Sequence, residues 1–244
     1  MRNIQIIIEY DGSNYCGWQR QENGISVQQK LEEAVVSITK EKSSLIGASR
    51  TDAGVHALGQ SANFYTNSKI PIEKFAFAIN SKLSDDIAVI KAMERDDNFH
   101  SRYHAKQKTY IYQIFTRRIS SPFLKNYAYH CFYDVNLEKM IEGSKYIIGE
   151  HDFMAFMASG SQSKTFVRTI HEINIYKKKD LISIEVTGNG FLYNMVRILS
   201  GTLLYAAIGK MKPSDIKTII QSKDRKLAGA TLPACGLYLK EIVY

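Results

Sequence analysis

A single carboxylate, Asp52, stands beside an arginine and just ahead of a glycine in the heptapeptide Arg50-Thr51-Asp52-Ala53-Gly54-Val55-His56. A short apolar segment precedes it, so we expect a strand that ends in a turn, with Gly54 free to adopt backbone conformations closed to other residues. Such a turn can hold one acid rigidly at the edge of a sheet, where the acid can serve as a nucleophile or a base. Because Asp-Ala-Gly is also common in ordinary turns, the rest of the chain must decide between the two interpretations.

A second feature with chemical potential is an arginine inside an apolar helix. The glycine turn Gly188-Asn189-Gly190 leads into Phe191-Leu192-Tyr193-Asn194-Met195-Val196-Arg197. Among so many apolar neighbours, Arg197 must either extend to water or find a partner. A carboxylate from elsewhere in the chain is one such partner, since a bidentate pair would hold it fixed and ionised.

A third feature is a basic stretch with interleaved aromatic residues. Residues 102–118 contain five Lys or Arg and no acid, and Tyr110 lies at their centre. The cations could bind phosphates while a tyrosine ring stacks on a base. A solvated edge strand with its tyrosines in the core would give the same pattern.

Three further segments leave their roles open. Gln162-Ser163-Lys164-Thr165 follows small and polar residues and is either a substrate-ordering loop or a linker. The Lys177-Lys178-Lys179 segment is typical of a hairpin turn, and the Leu232-Pro233-Ala234-Cys235-Gly236 segment either packs against the core or forms a pocket wall.

Composition narrows the class of protein. The 244 residues are 45% hydrophobic and 23% charged, typical of a globular chain, and no run approaches the roughly 20 apolar residues of a membrane span. The N-terminus lacks the pattern of a signal peptide, and the three cysteines form neither a disulfide framework nor a metal-binding spacing. We therefore expect a cytoplasmic protein. The net charge of +8 favours a polyanionic partner.

The motifs of nucleotide and metal binding do not occur. The sequence contains no Walker-type loop, no dinucleotide-binding glycine pattern after a strand, and no His/Cys cluster with zinc spacing. We therefore expect chemistry that needs no cofactor and no metal.

The secondary-structure pattern follows the same order twice. Alternating and helical apolar periodicities predict β-α-β-β-α-β in each half, with Ser26 and Asn136 as helix caps. We expect an α+β fold of two ferredoxin-like units that form a cleft, over residues 1–105 and 106–244. The first would carry Asp52 and the second Tyr110 and Arg197.

Taken together, these segments resemble the tRNA pseudouridine synthase A family over nearly the whole chain. Many matching segments in one order are far more specific than any single motif. This chain has Ser49 where the family often has glycine before Arg-Thr-Asp. The matching segments are Ile8-Glu9-Tyr10-Asp11-Gly12, Gly17-Trp18-Gln19-Arg20, Arg50 to Ala57 with Gln60, Phe99-His100-Ser101-Arg102, Lys108-Thr109-Tyr110, Asp152-Phe153 with Phe156, Phe191 to Arg197, and Pro233-Ala234 with Gly236-Leu237-Tyr238-Leu239.

The resemblance implies a homodimeric isomerase that converts uridine to pseudouridine in the anticodon stem-loop of tRNA, on the 3′ side of the anticodon. It implies that Asp52 is the catalytic nucleophile, that Tyr110 contacts the flipped uracil, and that Arg197 pairs with Asp52. Arg50 would hold the RNA backbone or help to extrude the base.

Three other functions share some of these features. A non-catalytic tRNA-binding module would have little reason to hold an acid near phosphates. A glycoside or nucleoside hydrolase commonly uses two carboxylates, and the nearest acid after Asp52 is Glu73. A single-stranded nucleic-acid binder with a ferredoxin-like sheet would be expected to carry an RNP1-type run, which this chain lacks.

Overall fold

The computed structural model describes residues 1–161 and 163–244. Its described residues form five α-helices: α1 (Val27–Thr39), α2 (Ile72–Asn80), α3 (Leu137–Ser144), α4 (Met195–Ala207) and α5 (Asp215–Ser222). They also form ten strands: β1 (Arg2–Tyr10), β2 (Ile46–Gly47), β3 (His56–Thr66), β4 (Ile87–Arg95), β5 (Gln107–Phe115), β6 (Tyr129–His130), β7 (Gly149–Asp152), β8 (Val167–Lys178), β9 (Leu181–Gly188) and β10 (Leu237–Val243). The fold is therefore mixed α+β.

The chain separates into two compact units. Unit 1 comprises Met1–Lys106 together with Tyr238–Tyr244, and unit 2 comprises Gln107–Leu237. The sequence-based division grouped the last residues with the second half. They belong to unit 1 by their contacts because β10 pairs with β3 in parallel, Tyr238 opposite His56 and Leu239 opposite Ala57.

Unit 1 follows the element order β1-α1-β2-β3-α2-β4, and its sheet has the order β4-β1-β3-β10 with β2 beside β3. Ile4, Ile6 and Ile8 alternate along β1 and are fully buried, as expected for one face of a strand. Phe64 of β3 meets Phe75 of α2 edge-on at 6.1 Å, so α2 covers the sheet. The predicted cap Ser26 is confirmed, because its side chain accepts the Gln29 N–H at the start of α1.

Unit 2 contains a sheet of order β5-β9-β8-β7, with the short β6 parallel to β5. Helix α4 is buried along most of its length, and the predicted cap Asn136 is confirmed at the start of α3. The segment that contains Gly229 and Leu232 packs against α4. The Gly229 N–H donates to the hydroxyl of Thr202, a residue of that helix. No helix in the described part of the chain is both long and apolar enough to cross a membrane.

Candidate active site

Asp52 lies in a tight turn directly before β3. The Val55 N–H donates to the Asp52 carbonyl at 3.1 Å, and Gly54 has a φ of +76°, in the left-handed region that glycine adopts without strain. Thr51 and Val55 are buried while Asp52 is half-buried. The turn expected from the sequence is therefore present, with its acid at the boundary between core and solvent.

The turn is held by a segment more than thirty residues earlier in the chain, residues 10–18. The Trp18 N–H donates to the Thr51 carbonyl at 3.0 Å, and the Tyr10 and Thr51 hydroxyls hydrogen-bond at 2.7 Å. Trp18 is only 1% exposed, so these bonds form at the edge of the core. Each is expected to stabilise the turn by about 1 kcal/mol.

Two glycines allow this segment to approach the turn so closely. Gly17 has a φ of +107°, and a Cβ atom there would lie 2.5 Å from the Thr51 carbonyl oxygen and 3.1 Å from the Asp52 carbonyl carbon. A Cβ atom on Gly12 would collide with the Val55 carbonyl. Glycine is therefore required on both sides, and the backbone of Asp52 has little room to move.

His56, the first residue of β3, ties the turn to two other segments. The Gly12 N–H donates to its Nδ1 at 3.1 Å, and Asp11 Oδ1 lies 3.1 Å from the same nitrogen. Its ring stacks on Tyr238 with centroids 4.7 Å apart. Sequence reasoning assigned His56 no role, because its partners are far away along the chain and nothing local identifies them.

Arg50 precedes the turn and is exposed to solvent. The backbone at Ser49 is anchored by the side chain of Gln60, which donates to the Ser49 carbonyl at 2.8 Å and accepts its N–H at 3.3 Å. Gln60 is fully buried, so it supports the approach to the turn rather than contacting solvent.

Tyr110 lies in unit 2, on β5 opposite Val186 of β9. Its side chain is 7% exposed and packs edge-on against the Phe191 ring at 5.1 Å. Phe191 begins the segment that leads into α4. The position of the Tyr110 ring therefore depends on the same segment that carries Arg197.

Arg197 occupies the first turn of α4 and is half-buried. Its Nη1 donates to Asn194 Oδ1 at 2.6 Å and its Nε donates to the Leu232 carbonyl at 2.7 Å. Asn194 itself has a φ of +60°, which asparagine tolerates better than most residues. These contacts orient the guanidinium group, and the sequence analysis had identified neither of them.

The segment beginning at Leu232 supports Arg197 and β5 together. The Tyr112 hydroxyl donates to the Pro233 carbonyl at 2.7 Å, next to the Leu232 carbonyl that receives Arg197. Burial raises the pKa of Tyr112, so its hydroxyl remains a neutral donor. Of the two roles left open by the sequence, the structure supports packing for this segment.

The predicted site residues are divided between the units, with Asp52 and Arg50 in unit 1 and Tyr110 and Arg197 in unit 2. Within unit 2, the residues 191–197 link Tyr110 to Arg197. Of the predicted polar loop, Gln162 lies outside the described residues, and Lys164 and Thr165 are exposed. Across residues 1–161 and 163–244, no group of three or more His, Cys, Asp or Glu side chains could hold a metal ion.

Comparison with a family model and comparison with individual known proteins identify the same family. The family model described as tRNA pseudouridine synthase matches residues 6–104 and 144–244. The protein named tRNA pseudouridine synthase A from Thermoanaerobacter sp. (strain X514) is 52% identical over 244 residues, covering 100% of each chain. Its counterpart from Acetivibrio thermocellus is 50% identical over 244 residues, again covering 100% of each chain.

A third relative, tRNA pseudouridine synthase A 2 from Clostridium tetani, is 51% identical over 245 residues, covering 100% of this chain and 99% of its own. The family model omits residues 105–143, which include Tyr110, whereas these relatives align along the whole chain. By both the family model and these full-length similarities, the chain belongs to the tRNA pseudouridine synthase family of isomerases.

Proposed function

We propose that this protein isomerises uridine to pseudouridine in the anticodon stem-loop of tRNA, on the 3′ side of the anticodon, with Asp52 as the nucleophile and without a cofactor. The observation that carries the proposal is the Asp52 turn, in which the Thr51 carbonyl accepts the Trp18 N–H and the Thr51 hydroxyl hydrogen-bonds with the Tyr10 hydroxyl. Preorganised groups accelerate reactions because little reorganisation is needed when the substrate arrives.

The reaction is balanced without an added oxidant, reductant or group donor. The bond between ribose C1′ and uracil N1 breaks, the uracil rotates, and a bond forms between C1′ and C5. The C5 proton is released and N1 gains one, so the product is an isomer of the substrate. An ionised Asp52 serves this sequence by adding to the nucleotide or by assisting elimination, and it is regenerated at the end.

Tyr110, Arg197 and Arg50 are assigned the supporting roles. We propose that Arg197 pairs with Asp52 and keeps that carboxylate ionised, and the contacts of Arg197 with Asn194 and Leu232 support a fixed guanidinium direction. Tyr110 would pack against the extruded uracil. Extrusion costs a few kcal/mol, which stacking and contacts from Arg50 to the RNA backbone would offset.

The proposal includes the finer features of the architecture. We propose that each unit is ferredoxin-like, which the order β1-α1-β2-β3-α2-β4 in unit 1 supports, and that a cleft receives the anticodon arm. We also propose that the protein works in the cytoplasm as a homodimer, as expected from the resemblance to the family.

The test incubates the purified protein with unmodified tRNA transcripts, in the absence of metal and nucleotide, and maps pseudouridine by chemical labelling. Pseudouridine on the 3′ side of the anticodon arm with the wild type, and none with Asp52→Ala, is the expected result. Product from Asp52→Ala would contradict the nucleophile, and product at another position would contradict the proposed site. Tight binding without product from any transcript would instead indicate a tRNA-binding module.

The pairing of Arg197 is tested separately. Arg197→Lys keeps the positive charge and removes the planar fork, so we expect a large fall in kcat with a small change in tRNA affinity. Asn194→Ala removes one of the contacts that orient the guanidinium group and is expected to lower kcat less. An Arg197→Lys enzyme with wild-type kcat would contradict the bidentate pairing.

A further inference from the structure

Five exposed cations are grouped at one end of the unit 2 sheet. Lys177 and Lys178 are the last two residues of β8, Lys179 follows them in the turn to β9, and the chain leaving β5 carries Arg117 and Arg118. We call these five residues the basic edge. They take no part in the proposed chemistry.

The two segments are held side by side by backbone pairing. Leu181 pairs with Lys178 on one side and with Phe115 on the other, so Lys178 and Phe115 lie about two strand spacings, or about 10 Å, apart. Beyond that pair, Thr116 donates both its N–H and its hydroxyl to the Asp180 carbonyl, at 2.8 and 3.0 Å. The grouping is therefore a consequence of the fold and not of mobile side chains meeting by chance.

One of the arginines is also fixed in direction. The Nε of Arg117 donates to the Ile119 carbonyl at 2.9 Å, its Nη2 donates to the Ser120 carbonyl at 3.0 Å, and its guanidinium group lies 5.1 Å from the centroid of the Phe115 ring. These contacts use part of its hydrogen-bonding capacity and keep its charge at the edge of the sheet.

The surroundings of the basic edge contain little compensating charge. Residues 98–133 include no Asp or Glu, and Asp180 is the only acid within residues 177–180. Exposed like charges at one end of a sheet repel one another, and a polyanion bound there relieves that repulsion while releasing its own counterions.

We propose that the basic edge binds the sugar–phosphate backbone of the tRNA substrate at a distance from the target nucleotide. The inference rests on the proposed function, because it takes Tyr110 as the residue against the uracil. Tyr110 and Phe115 are five positions apart on β5, which is about 17 Å at about 3.3 Å per residue. That distance spans several nucleotides, so the phosphates at the basic edge belong to nucleotides other than the target uridine.

The test compares a whole tRNA with an isolated anticodon stem-loop. The triple variant Lys177→Gln, Lys178→Gln and Lys179→Asn removes three charges, and asparagine suits the φ of +54° at Lys179. We expect its Kd and KM for whole tRNA to rise about tenfold with kcat within about twofold, and its salt slope to fall by about one per lost contact. An isolated anticodon stem-loop extends over a similar distance, so we expect a loss of affinity for it as well, no larger than the loss on whole tRNA.

The matched control removes three exposed lysines around α2 of unit 1, through Lys69→Gln, Lys74→Gln and Lys82→Gln. The control changes the net charge by the same amount as the basic-edge variant, so it reproduces any effect of net charge on long-range electrostatic steering. We expect its affinity for whole tRNA to be close to that of the wild type. Equal losses in the two triple variants would overturn the proposal. Wild-type affinity of the triple basic-edge variant for whole tRNA would overturn it as well.

A protein partner is the other class of occupant for such a surface. Unchanged tRNA affinity together with altered self-association in sedimentation would assign the basic edge to a protein contact and overturn the proposal. Because binding is titrated directly, this result is separable from the proposed function, which fails when the wild type yields no pseudouridine.

Discussion

The Asp52 turn of unit 1 and the loop of unit 2 described by residues 158–161 and 163–166 contain similar small, polar and glycine residues, yet they differ in how the chain holds them. Thr51 within the turn forms buried hydrogen bonds with Tyr10 and Trp18, whereas the loop is bonded at its ends, where the Phe153 N–H donates to the Phe166 carbonyl and the Ala158 N–H donates to the Tyr193 carbonyl. Ser159, Gly160 and Lys164 are exposed. Residue type alone therefore does not decide whether a turn is fixed, and contacts from distant segments do.

The largest effect is expected on turnover, when the carboxylate of the fixed turn loses its charge. Asp52→Asn keeps the shape of the side chain and removes its charge, so we expect turnover to fall at least about 10⁴-fold. Affinity for tRNA should stay within a few-fold. Single-turnover kinetics with labelled transcripts measure the first quantity and a binding titration the second. The control Asp97→Asn, at an exposed position in unit 1, should retain activity, and substantial product from Asp52→Asn would remove Asp52 from the catalytic role.

The next largest effect is on stability, and it is tested by replacing one glycine of positive φ in each region with alanine. Gly17→Ala places a Cβ atom 2.5 Å from the Thr51 carbonyl oxygen at a φ of +107°, so we expect a loss of about 3 kcal/mol in the free energy of unfolding. The displaced Asp52 backbone should also lower kcat by about tenfold or more.

Gly160→Ala is the matched substitution in the exposed loop. Gly160 has a φ of +84°, and within the described part of the chain no atom lies near its added Cβ, so only backbone strain of about 1 kcal/mol is expected. Denaturant unfolding of both variants measures the difference. Equal losses of stability would contradict the account of the Asp52 turn as a closely packed one.

A smaller effect separates a buried hydroxyl bond from an exposed one. Tyr10→Phe removes the 2.7 Å bond to the Thr51 hydroxyl and is expected to cost about 1 kcal/mol of unfolding free energy, with a modest fall in kcat. Tyr176→Phe removes an exposed 2.8 Å bond to Glu185 and should cost less than about 0.5 kcal/mol. Equal losses of stability in the two variants would contradict the expectation that burial makes the Tyr10 bond the more stabilising one.

The smallest effect concerns the surface ion pair near the base of the loop. Lys223 lies 2.8 Å from Asp152, and its hydrogen bond lowers the pKa of that carboxyl below the ordinary value. The pair therefore stabilises the fold above about pH 4, and the stabilisation is lost as the pH falls through the lowered pKa.

We expect Lys223→Gln to cost up to about 1 kcal/mol at pH 7 and less at pH 3, since both partners are solvent-accessible. Unfolding at the two pH values measures the difference, with Lys226→Gln as the exposed control. A cost that does not change with pH would argue against the ion pair.

Local structure was predictable where its signal lies within a few residues. The caps Ser26 and Asn136 were identified because a capping side chain bonds an N–H only three residues away. The Asp52 turn was expected for the same reason, from Gly54 and the preceding apolar segment. The return of β10 to β3 was missed, because about 180 residues separate the two strands and no local pattern specifies the pairing.

In the candidate site, too, the short-range features were predictable from the sequence and the long-range contacts were not. The sequence by itself determined the family, the acid on a glycine turn and the arginine at the start of an apolar helix, since residue identity and short-range spacing carry that information. Only the tertiary structure decided that residues 10–18 hold Thr51, that Leu232 and Asn194 orient Arg197, and that two distant basic segments share one edge. These contacts depend on which surfaces are brought together when the core forms, and side-chain identity alone does not encode the partner of a distant hydrogen bond.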